Sequence, residues 1–99
     1  MKKISLVLAF AISSMFGHTA LMSCFDNGDK TITCEGGFSD GSSAYGVKFR
    51  VEQNGKVLVE DKFNEDSEVT FNKPEGDYTA TFDGGEGHSV VVKSSDIAE

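Results

Sequence analysis

Val47-Lys48-Phe49-Arg50-Val51-Glu52-Gln53-Asn54-Gly55-Lys56-Val57-Leu58-Val59 is the stretch that decides the fold. Val47, Phe49 and Val51 alternate with Lys48, Arg50 and Glu52, which reads as a strand with one buried and one wet face. Asn54-Gly55 tolerates positive φ at both positions and sits between two apolar runs, so it predicts a tight hairpin. Val57 to Phe63 then returns antiparallel. Val57, Val59 and Phe63 share a face with Asp61, which is expected near the strand end, in reach of water.

Working outward, the same grammar recurs. Cys24 to Cys34 reads as strand, turn and strand, with Asp26-Asn27-Gly28-Asp29 as the turn. Gly36-Gly37 permits a bend or bulge before Phe38. Ser39-Asp40-Gly41-Ser42-Ser43 is a loop. Val69 and Phe71 mark a short strand, broken by Asn72-Lys73-Pro74-Glu75-Gly76. Tyr78, Ala80 and Phe82 oppose Thr79 and Thr81, and residues 88–93 form the last strand. Outside the first residues there is no helical periodicity. About seven short strands with frequent turns predict an all-β, antiparallel β-sandwich.

The N-terminus follows another pattern. Lys2 and Lys3 precede the apolar run Ile4 to Phe16, and small residues follow at Gly17, Thr19, Ala20 and Ser23. This is the layout of a cleaved signal peptide. The run is too short for a membrane span, which needs about 20 apolar residues. Residues 1–23 are therefore expected to be a leader, 24–93 a sandwich domain and 94–99 a flexible tail. Ala20 and Ser23 are both acceptable residues before a cut. A periplasmic or secreted bacterial protein is implied, with no transmembrane segment in the mature chain.

Two cysteines at short spacing in an exported chain favour a Cys24–Cys34 disulfide. Such a bridge would restrict the unfolded chain by about 2–3 kcal/mol. The alternative is a lipoprotein: Leu21-Met22-Ser23-Cys24 resembles a lipobox, with Cys24 as the lipidated residue. Beyond residue 23 the chain has seven Lys and Arg against sixteen Asp and Glu, a net −9. That excludes nucleic acid and anionic membranes as natural partners. It leaves cations, basic partners or plain solubility.

The tip Asp83-Gly84-Gly85-Glu86-Gly87-His88 holds the only histidine outside the leader. His88 with Asp83 and Glu86 offers one nitrogen and two carboxylates, a set suited to nickel, cobalt or zinc. The competing reading has His88 hydrogen-bonded within the tip or resting on Tyr78 or Phe82. The tip glycines precede no helix, so they are hairpin geometry rather than a phosphate cradle. The acidic turn Asn64–Glu68 lacks the spacing of a calcium loop. Ser89 adjoins His88, but neighbours in a strand point to opposite faces, so they do not form a nucleophile–base pair. No enzyme is implied. Most of the aromatics beyond the leader belong in the core, with Phe25 and Tyr45 as the candidates for an exposed partner surface.

The run from Phe38-Ser39-Asp40-Gly41-Ser42-Ser43 through Gly55-Lys56, Asn64-Glu65-Asp66, Val69-Thr70-Phe71, Gly76-Asp77-Tyr78 and Gly85-Glu86-Gly87-His88 resembles the prealbumin-like β-sandwich, also called transthyretin-like or carboxypeptidase-regulatory-like. It looks most like periplasmic domains associated with bacterial nickel and cobalt uptake. Ser67 stands where that pattern usually carries Gly. The resemblance covers nearly all of the chain after Cys34. It implies a Greek-key sandwich and a non-catalytic periplasmic binding or accessory module, linked to divalent-metal uptake through an envelope protein partner. The alternative expectation is a structural or adhesive module of the envelope or of an extracellular assembly.

Overall fold

The structure, a computed structural model, describes residues 19–97; the leader expected over 1–23 thus falls largely outside the described residues. Seven strands form: β1 (Ala20–Asp26), β2 (Thr31–Phe38), β3 (Lys48–Gln53), β4 (Lys56–Lys62), β5 (Glu68–Asn72), β6 (Thr79–Asp83) and β7 (Ser89–Lys93). They build two antiparallel sheets, β1-β2-β5 and β4-β3-β6-β7. The all-β sandwich predicted from alternation is what the chain forms. Among the described residues, no helix is long and apolar enough to cross a membrane.

The deciding hairpin behaves as its residues dictate. Asn54 and Gly55 both have positive φ, 53° and 80°, and Gln53 pairs with Lys56 across a two-residue turn. One detail departs from simple alternation. Val51 faces Val59 but Glu52 faces Val57, so β4 carries an extra residue at Leu58. That bulge turns Val57 to the charged side of the sheet, where it is 46% exposed. Asp61 is exposed, as expected.

The inner faces meet in a core of aromatic rings. Phe49 lies between Phe63 and Phe71, with centroids 5.6 and 5.5 Å away. Phe63 touches Phe82 at 5.3 Å, Phe82 touches Phe38 at 5.5 Å, and Phe71 touches Tyr78 at 6.1 Å. Offset and edge-on contacts of this kind add to the burial of each ring. Phe25 and Tyr45 lie outside this chain of rings, 36% and 65% exposed.

Gly36 makes this packing possible. It lies within β2, opposite Met22, so Gly36-Gly37 continues the strand rather than bending it. A Cβ at Gly36 would sit 2.8 Å from a Phe82 ring carbon and 3.0 Å from one of Phe63. The missing side chain is the space those rings occupy.

The disulfide joins Cys24 to Cys34, which face each other directly in the β1–β2 register. Both are buried. β1 starts at Ala20, so Ala20–Ser23, assigned above to the leader, lie in a paired strand. At the other terminus, part of the expected flexible tail is structured. Ser94–Asp96 forms a 3-10 turn, and Ile97 packs against the core. Ser94 accepts from Tyr78 N–H through its Oγ at 3.1 Å and donates its own N–H to Tyr78 O at 2.9 Å.

Ser67 holds a left-handed position, with φ 62°. Its hydroxyl accepts from Ala44 N–H at 2.9 Å and bonds Ser43 Oγ at 3.0 Å. Its carbonyl accepts from Gly36 N–H at 2.9 Å. The side chain that makes this φ unfavourable also ties the 39–47 loop to the turn.

Gly36→Ala is expected to destabilise the domain by about 2–3 kcal/mol through overpacking. Gly37→Ala, whose nearest contact would be 3.6 Å away, should cost far less. Urea midpoints of the two variants check the contrast.

Candidate functional site

The β6–β7 hairpin presents the residues singled out above. Its tip is closed by the backbone: Gly84 N–H donates to His88 O at 3.0 Å, and His88 N–H donates to Gly85 O at 2.9 Å. Gly85 and Gly87 have φ of 102° and 81°, which only glycine adopts without strain.

Asp83, Glu86 and His88 are neighbours on this hairpin, but their side chains part company. Asp83 follows the core residue Phe82 and so leaves on the outer face of the sheet. There its Oδ2 accepts from Arg50 Nη1 at 3.1 Å, and its Oδ1 accepts from Gly85 N–H at 3.2 Å. His88 turns the other way, edge-on to Phe38 with centroids 6.2 Å apart. The aromatic beside it is Phe38, from the opposite sheet. Glu86 is exposed on the tip. Among the described residues, no three His, Cys, Asp or Glu side chains are grouped to hold a metal ion.

The residue that organises this face is Arg50. Its Nε donates to Glu52 and its Nη1 to Asp83, each at 3.1 Å. The hydrogen bond to Glu52 first, and the Glu52 and Asp83 charges, raise the already high pKa of the guanidinium. The Arg50–Glu52 pair could be read from two-residue spacing on a wet face. The Asp83 contact needs the β3–β6 pairing, which no local signal supplies. Lys48, Arg50, Glu60, Lys62 and Asp83 line an open hollow here. Its signs are mixed, so it suits contact with a polar surface better than capture of one kind of ion.

A second polar centre sits at the opposite end. Lys73 Nζ lies 2.7 Å from Asp26 Oδ2, and Gly28 N–H donates to Asp26 Oδ1 at 2.8 Å. The Lys73 hydrogen bond first, and the Gly28 bond second, hold the Asp26 carboxyl below its ordinary pKa. Tyr78, nearby and buried, is pushed above its ordinary value by loss of solvent.

Comparison with protein-family models, with curated proteins and with solved structures finds no match to this chain.

Two measurements follow from this geometry. Nickel or zinc titrated calorimetrically into the parent and into His88→Ala should give the same non-saturating heats; a saturable isotherm lost in the variant would restore the metal site. For Asp26 the folded pKa is the lower one, so its contribution is present above about pH 4 and lost as pH falls through the folded value. The stability gap between parent and Asp26→Asn should hold steady above about pH 5 and shrink on further acidification.

Proposed function

We propose that this chain is an exported β-sandwich module that works by contact with another protein of the cell envelope rather than by catalysis. The observation that carries the reading is the outer face of the β1-β2-β5 sheet. Leu21, 51% exposed, and Phe25 share that face of β1. Beside Phe25 in register lie Thr33 and Thr70, whose hydroxyls bond each other at 2.9 Å. Charge on this face gathers at one place, where Glu35 and Glu68 pair. The outer face of the other sheet is crowded with Lys48, Arg50, Glu52, Glu60, Lys62 and Asp83. On a chain this acidic, an apolar and hydroxyl surface is where a partner is met with least electrostatic cost.

Export is supported by the lysine-led apolar segment and by the buried disulfide, since such bridges persist in oxidising compartments. Kinship with prealbumin-like domains belongs to the same reading, supported by the motif string from Phe38 to His88. A link to metal uptake draws no support from the way Asp83 and His88 are engaged.

Cross-linking in intact envelopes tests the contact face. Truncating a central aromatic anchor costs about 2 kcal/mol, close to thirtyfold in affinity. Phe25→Ser should therefore abolish the adduct formed by the parent, while Val91→Ser, on the other sheet, should keep it. Equal loss in both variants, at unchanged urea midpoints, would sink the assignment.

A further inference from the structure

We infer that the chain is processed by hydrolysis of the Ala20–Leu21 peptide bond, so that the mature domain begins at Leu21 and Cys24 remains a disulfide partner. The inference rests on the export reading above and fixes a bond that the residue types leave open, because Ala20 and Ser23 are both small enough to precede a cut.

The β1–β2 register separates the two bonds. A cut after Ser23 removes Ala20, Leu21, Met22 and Ser23, the partners of Phe38, Gly37, Gly36 and Glu35. Three of the seven register positions would survive. Met22, which packs against the core, would be lost, and the Gly36-Gly37 stretch of β2 would become a bare edge. Cys24 would be the terminal residue. A cut after Ala20 gives up one register position and the two bonds between Thr19 and Ser39. The core loses a single methyl group. Leu21 to Asp26 still pair along their length, with Cys24 inside the strand.

The chemistry is ordinary hydrolysis by a membrane-bound leader peptidase. Water adds to the Ala20 carbonyl carbon, the C–N bond breaks, and the Leu21 nitrogen departs as an amine carrying the proton. The leader keeps the carboxylate. In the folded domain the Ala20 backbone is paired with Phe38, so the cut precedes closure of β1 onto β2. Lipidation of Cys24 is the competing modification. It needs a free Cys24 thiol and ends with Cys24 as the first residue, whereas here that sulfur is bonded to Cys34 in mid-strand.

The test is to express the full chain in an exporting bacterial host and recover it from the envelope fraction. N-terminal sequencing and intact mass are then read without reductant. A start at Leu21 with the mass of the disulfide form is the expected result. Ala20→Phe should block processing, and Ser23→Phe, at an exposed position, should leave the start at Leu21. An exported chain that starts elsewhere, or carries lipid on Cys24, overturns this inference and leaves export standing. Full-length chain retained in the cytoplasm with reduced cysteines overturns both.

Discussion

The contact on which the rest of the structure depends is that of the Phe82 and Phe63 rings with the bare backbone of Gly36. A sandwich of this size has little apolar surface to bury, so its rings must be used fully. Because Gly36 offers no Cβ, Phe82 and Phe63 press directly on β2. Phe82 then reaches Phe38, and Phe63 reaches Phe49, which continues the stack to Phe71 and Tyr78. The same residue donates its N–H to Ser67, so the ring contact and the 64–67 turn are set by one glycine. Interiors packed this closely transmit a change of one methyl group.

Around that centre, covalent and polar ties hold the strands whose burial is thin. The disulfide secures β1, an edge strand whose ladder runs to β2. Gln53 Nε2 donates to Glu75 O at 2.6 Å and to Asp77 O at 3.0 Å, strapping the β5–β6 connection to the end of β3. Asp26 and Lys73 close the corresponding corner on the other sheet. β4, the least buried strand, has its free edge guarded by a bulge and by Lys56, Glu60, Asp61 and Lys62.

Most of the fold was legible because its signals are local. Alternation in Val47–Glu52 and the Asn54-Gly55 pair specify a hairpin within a dozen residues. The Cys24–Cys34 bridge is legible from the short cysteine spacing read together with the expected leader. What the sequence hid was non-local or cumulative. The bulge at Leu58 depends on register, so simple alternation places Val57 on the wrong face. Gly36 reads locally as a bend or bulge, because its ring neighbours lie 27 and 46 positions away in the chain. The side-chain directions at the tip are non-local in a related way. Asp83, Glu86 and His88 are close in sequence, but a strand sends alternate side chains to opposite sides, and proximity in the chain did not become convergence in space.

The ring stack also has an optical consequence. The chain has no tryptophan and two tyrosines, Tyr45 and Tyr78. Tyr45 stands in solvent on the 39–47 loop, while Tyr78 is buried against Phe71. Near-ultraviolet absorption and emission therefore divide into a component indifferent to folding and one that depends on it. The dependent component comes from the corner where Asp26, Lys73, Ser94 and the aromatic stack converge. The protein carries an internal gauge of its own integrity, placed where the 94–96 turn is fastened to the core.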